Sequence, residues 1–153
     1  MNHAKIDGDV VPSIEFTHAF TNDVLADHDA VAVAELVRTD ELSSEHVVEA
    51  AIARAKSVEN KIHAIVCECF GSAVEKARTP VKGAFQGVPT VIKDMNNVPG
   101  LTTRFGTNAL RNVKPATKTD PFVQELFSMG MICLLYTSPS PRDATLSRMP
   151  SSA

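Results

Sequence analysis

Across residues 29–38 the apolar side chains Ala30, Val31, Val33, Ala34 and Val37 recur at helical spacing, which predicts a short amphipathic helix. Asp27 and Asp29 are its available N-caps. A second helix is predicted over residues 45–58, capped by Ser43 or Ser44, with Val47, Val48, Ala51, Ile52 and Ala55 on one face. Residues 62–69 alternate loosely and predict a strand, and residues 71–78 predict a short helix that Thr79-Pro80 ends. Val88, Thr90, Val91 and Ile92 are apolar or β-branched and predict a short buried strand, with Pro89 at its start where a missing N–H is tolerated. Residues 95–107 have little periodicity, and Pro99-Gly100 marks a type II turn. Residues 108–118 are irregular and basic, which suits a solvated surface. Asp120 and Pro121 fit an N-cap with proline at N1, for a helix to about 128 that buries Phe122, Val123, Leu126 and Phe127. Gly130 is its natural C′ residue, and residues 131–135 form the next apolar strand.

The two ends of the chain lack this patterning. Residues 1–24 are weakly periodic and read as a partly ordered N-terminal arm. Residues 136–153 are rich in Ser, Pro and Arg, without core periodicity, and are expected to be a disordered tail. That leaves residues 25–135 as one α/β domain, in keeping with a 153-residue chain that is 44% hydrophobic and 22% charged. A net charge of −3 gives no basic footprint for nucleic acid. The sequence has no apolar run long enough for a bilayer and no signal-peptide pattern at its start, so the expected location is the cytoplasm, without membrane. Three cysteines without a disulfide framework agree with a reducing compartment. Cys67-Glu68-Cys69 has the form of half a metal site, but no second pair of soft ligands follows, so a structural pair is favoured. His3, His18, His28, His46 and His63 show no ligand spacing.

The chemistry centres on Lys93, which ends the strand of residues 88–92. An ammonium there must be paired, reach solvent or lose its proton. The bland reading is that Lys93 snorkels outward or pairs with Asp94. The polar loop that follows stands where α/β proteins place ligand sites. Gly87-Val88-Pro89, Lys93-Asp94 and Gly100-Leu101-Thr102-Thr103 stand in this order, followed by Thr119-Asp120-Pro121 and by Met129-Gly130-Met131-Ile132-Cys133-Leu134. In these blocks, over roughly residues 25–134, the chain resembles the amidase signature family. The resemblance implies an amidohydrolase acting on linear carboxylic amides through a Ser–cis-Ser–Lys triad. It implies the N-terminal portion of an α/β/α fold, with Lys93 as the triad lysine. Asp94, Asn96, Asn97, Thr102 and Thr103 are then expected to line the substrate site. The implied partner is a small-molecule amide, with no cofactor and no metal, and with a homodimer possible for a full-length enzyme.

The family's glycine-flanked Ser-Ser motif is not present. Ser43-Ser44 suits a helix cap, and Ser151-Ser152 lies in the tail. The chain is therefore expected to be a truncated and inactive fragment, with a tail at 136–153 that is not family sequence. Two other readings remain open. Val91-Ile92-Lys93 is similar to the lysine-bearing strand of protein kinases, but Gly71, Gly83 and Gly87 do not form the phosphate loop that such a site needs. The absence of a complete catalytic set instead leaves room for a non-catalytic α/β binding or interaction module.

Overall fold

A computed structural model describes residues 17–137. Residues 1–16 of the predicted arm and residues 138–153 of the predicted tail lie outside the described residues. Helix α1 spans Ala30–Arg38 and buries Val33, Ala34 and Val37. Asp29, not Asp27, caps it, its carboxylate accepting from the Val31 and Ala32 amides at 3.0 and 2.8 Å. Helix α2 spans Ser44–Ile62, and the Ser43 hydroxyl accepts from the His46 amide at 3.1 Å.

That helix runs four residues beyond the periodic stretch, because its last turn is mostly polar and its apolar residue, Ile62, read from the sequence as the start of the next strand, is exposed on the helix instead. It stops at His63, which takes the left-handed conformation with φ 48°. The Glu59 carboxylate then accepts from the Ala64 and Ile65 amides, so strand β1 begins late, at Ile65–Glu68. Helix α3 (Phe70–Arg78), strand β2 (Pro89–Lys93), a 3-10 turn (Asn108–Leu110), helix α4 (Pro121–Ser128) and strand β3 (Ile132–Thr137) follow. Helix α4 ends in a Schellman motif: the Gly130 amide donates to Phe127 O and the Met131 amide to Leu126 O, with Gly130 at φ 91°.

The sheet is mixed, in the order β1-β3-β2, with β3 antiparallel to β1 and parallel to β2. Its central place explains why Ile132 to Tyr136 are all buried. A bulge decides which way they point. Thr90 pairs with Cys133 but Val91 pairs with Leu135, so Leu134 is the extra residue. Ile132, Leu134 and Leu135 consequently pack together against Val48, Ile52, Ala73 and Ala77 of α2 and α3. Cys133 and Tyr136 lie in a separate cluster with Ile92 and Val123.

Three expectations need correction. Strand β3 continues through Tyr136 and Thr137, two residues into the predicted tail. Tyr136 can be fully buried because its hydroxyl donates to Asn96 O at 2.7 Å. Val91 is 51% exposed, since β2 is an edge strand whose alternation sends Ile92 inward and Val91 outward. Phe122 is 63% exposed, standing in the first turn of α4 off the face that Val123 buries.

The described part of the N-terminal arm is tied to α2. Arg54 donates from Nε and Nη2 to the two Asp23 oxygens at 2.8 Å each, and from Nη2 to the Thr21 and Ala26 carbonyls. The Arg54 guanidinium and the Thr21 hydroxyl hold the Asp23 carboxyl well below the usual carboxylate range. A depressed folded-state value contributes stability that is complete above the unfolded value near 4 and is lost as pH falls toward the folded one. Arg54→Met is therefore expected to cost about 1–2 kcal/mol at neutral pH. Urea melts of the two proteins should converge as pH drops below about 4. A gap that is independent of pH would rule out the ion pair as its cause.

Candidate active site

Gly87, Val88 and the front of β3 are zipped together by main-chain bonds. The Gly87 amide donates to Gly130 O at 3.0 Å and the Ile132 amide to Val88 O at 2.9 Å. Two sequence blocks about forty residues apart thus become adjacent. Strand β2 delivers the half-buried Lys93 at its carboxyl end, opposite Thr137 of β3. The Lys93 carbonyl accepts from the Met95 and Asn96 amides at 2.7 and 3.1 Å, which turns the chain sharply after the strand.

Asp94 is 1% exposed. Its amide donates to Thr137 O at 2.8 Å, continuing the ladder. Its carboxylate accepts from the Arg104 amide at 2.7 Å and the Gly106 amide at 3.3 Å. Phe105 sits between those donors at φ 52°, and its own amide bonds to Asp94 O at 3.1 Å. Asp94 is therefore the clamp that closes the loop of residues 95–107 back onto the strand end. A cavity of about 170 Å³ lies beside it, lined by Val66, Asp94, Arg104, Gly106, Thr107 and Asn108.

The other predicted lining residues are also held within the protein. The Asn97 amide and Nδ2 donate to the Asp120 carboxylate at 2.8 and 3.1 Å, and the Asp120 amide returns to Asn97 O at 3.0 Å. The Thr103 hydroxyl is buried and donates to Asn97 Oδ1 at 2.9 Å, with Asn96 O at 3.3 Å. Asn96 O also receives the Tyr136 hydroxyl. The Leu101 amide donates to Val98 O at 3.1 Å, closing the Pro99-Gly100 turn. The structure thus joins Asn96, Asn97 and Thr103 in one network beyond the carboxyl end of β2, with the Asp94 clamp separate from it at the strand end, while Thr102 stands half-buried in the middle of the loop.

Sequence reasoning missed two members of this network. Asp120 occupies the N-cap position of α4, but its side chain makes no capping bond and is committed to Asn97. Pro121 at N1, which has no N–H, reduces the need for a cap. Tyr136 carried a signal in being the only tyrosine of the chain, directly after an apolar run. Among the described residues no group of three or more His, Cys, Asp or Glu is placed to hold a metal ion. No described helix is long and apolar enough to cross a membrane.

The family model described as Amidase matches residues 46–140, the region that holds this network. The chain belongs to the amidase family. Its amidase-family relatives include the protein AmiC of Mycobacterium tuberculosis, 43% identical over 94 residues that make up 60% of this chain and 20% of that protein. The 6-aminohexanoate-cyclic-dimer hydrolase of Pseudomonas sp. is 32% identical over 110 residues, covering 69% of this chain and 22% of that enzyme. A solved structure of 6-aminohexanoate cyclic dimer hydrolase complexed with substrate superposes with a TM-score of 0.67 at 30% identity, over 72% of this chain and 23% of that one. This chain therefore spans about a fifth of the length of such amidase-family relatives, and its mixed α/β architecture is that of the amidase-signature fold over the shared part.

Proposed function

We propose that this chain supplies the lysine-bearing section of an amidohydrolase that cleaves carboxylic amides through a Ser–cis-Ser–Lys triad, with Lys93 as the lysine. The observation that carries the proposal is the placement of Lys93. Strands β2 and β3 run parallel and end together at the Lys93–Thr137 pair. Ligand sites of α/β sheets lie outside the carboxyl ends of such strands. The loop directly beyond that end is fixed by a buried carboxylate and an Asn–Asp–Thr network, the kind of support that keeps a reacting group in position.

In the proposed reaction a neutral lysine amine accepts a proton from a bridging serine, which accepts one from the nucleophilic serine as that oxygen attacks the amide carbonyl. Main-chain amides near the serines stabilise the oxyanion. The adjacent serine pair in the described part belongs to a helix start. Ser43 caps α2, and Ser44 is buried in its first turn. The 153-residue chain alone is therefore expected to show no amide turnover. Small-molecule amides are the substrate class, a reading supported by relatives named for hydrolysis of a cyclic amide dimer. In this reading Asp94, Asn96, Asn97 and Thr103 shape the site through the loop they hold, and Thr102 is the loop residue assigned to the substrate-site lining. The family match favours this reading over a non-catalytic module.

The test is a chimera in which residues 46–137 replace the matching section of AmiC. Lys93→Ala in that chimera is expected to lower kcat on a simple amide by about 10³-fold or more, with little change in KM. Lys93→Arg should not rescue it, because a guanidinium does not give up its proton. Near-normal turnover in either variant removes Lys93 from the chemistry. Turnover by the 153-residue chain itself, lost on Lys93→Ala, would overturn its expected inactivity.

A further inference from the structure

The three cysteines of the chain meet on one side of the sheet. Cys67 lies on β1 and Cys133 on β3, and both pack in the cluster around Ile92 and Tyr136. Cys69 has left the strand and precedes the first residue of α3, so strand alternation does not set its direction. Its amide donates to Leu134 O at 2.8 Å, which fixes it beside the central strand. Cys69 is thereby held against Leu134, the residue next to Cys133, and the Cys69 and Cys133 thiols each influence the other's titration. Cys69 and Cys133 also line a common cavity of about 360 Å³, whose walls include Phe70, Lys76, Leu101 and Phe127.

We propose that Cys69 and Cys133 form a reversible disulfide, made when a hydroperoxide enters this cavity. Cys69 is the attacking thiol, because it is half-buried at the cavity wall while Cys133 is 5% exposed. Its deprotonated sulfur attacks one peroxide oxygen, the O–O bond breaks, and the leaving oxygen departs as water after protonation, leaving a sulfenic acid on Cys69. The Cys133 sulfur then attacks that sulfur, the S–O bond breaks, the S–S bond forms, and a second water leaves with the Cys133 proton. Two thiols and one hydrogen peroxide give one disulfide and two waters. Burial raises both thiols, Cys133 to about 12, so little thiolate is present at neutral pH and the oxidation is expected to be slow and to speed up as pH rises. The bond ties the entrance of α3 to the central strand and constrains the long loop between them.

The experiment treats the purified 153-residue chain with hydrogen peroxide, unfolds it in alkylating agent and maps the peptides by mass spectrometry. The expected product is a monomer lighter by about 2 Da before alkylation, with a Cys69–Cys133 crosslink, Cys67 alkylated and full reversal by dithiothreitol. The oxidised chain should melt several degrees above the reduced one. Cys67→Ser is expected to keep the crosslink, and Cys69→Ser to abolish it. Cys67→Ser leaves the buried Cys133 untouched, so the test does not depend on a core variant that fails to fold. A Cys67–Cys69 bond, an intermolecular crosslink, or three thiols still open to alkylation would overturn the proposal.

Discussion

Asp94→Ala is expected to destabilise the chain by about 3 kcal/mol, measured as a lower urea midpoint with little change in slope. The carboxylate is almost fully buried and accepts from two main-chain amides ten and twelve residues away. Charge-assisted bonds of this kind contribute about 1.5–3 kcal/mol each, and alanine leaves both donors without their acceptor. The same bonds hold Phe105 in the left-handed region, a conformation that costs a non-glycine residue about 1 kcal/mol. Without the clamp, that strain favours opening of the loop. Asp94→Asn keeps one acceptor oxygen in place and should cost about half as much. If alanine costs less than about 0.5 kcal/mol, the loop is held by the Asn97–Asp120–Thr103 network alone and the role assigned to Asp94 is wrong.

Gly87→Ala is expected to cost about 2–4 kcal/mol, again by urea melt. Gly87 has φ 77°, and a Cβ built there would stand 2.6 Å from Ser44 Oγ, 2.9 Å from Ser44 Cβ and 3.1 Å from Val37 Cγ1. The residue is thus both left-handed and pressed against the start of α2. Ser44 Oγ is buried without a hydrogen-bond partner among the described residues, so Ser44→Ala alone should be neutral or stabilising by up to about 1 kcal/mol. The double variant should recover part of the Gly87→Ala loss, because the nearest clashing atom is gone while the backbone strain remains. Strict additivity of the two changes would show that sterics at Ser44 are not the cause.

This contact explains why a glycine opens the family block. It lets the chain before β2 pass close under α2, and so sets the height at which Lys93 leaves the sheet.

Much of the architecture was legible in the sequence because its causes are local. Asp29 and Ser43 cap helices whose apolar positions already had a 3.6-residue period. Pro121 and Gly130 bracket α4 as their backbone preferences require. Gly87-Val88-Pro89, Lys93-Asp94 and Gly100-Leu101-Thr102-Thr103, standing in this order, carry the family resemblance in the sequence, and the match over residues 46–140 bears it out. What tertiary structure alone decided are the choices of partner between distant segments. The bulge at Leu134 divides five buried residues of β3 between two faces, and no period in the sequence encodes it. Asp120 could have capped its own helix, but Asn97 offers two donors and takes the carboxylate instead. Tyr136 extends β3 because an acceptor forty residues earlier, Asn96 O, satisfies its hydroxyl. Cys69 meets Cys133 only because β1 and β3 are paired. Periodicity and capping are properties of neighbours along the chain, whereas a buried polar group finds its partner only after the elements have packed.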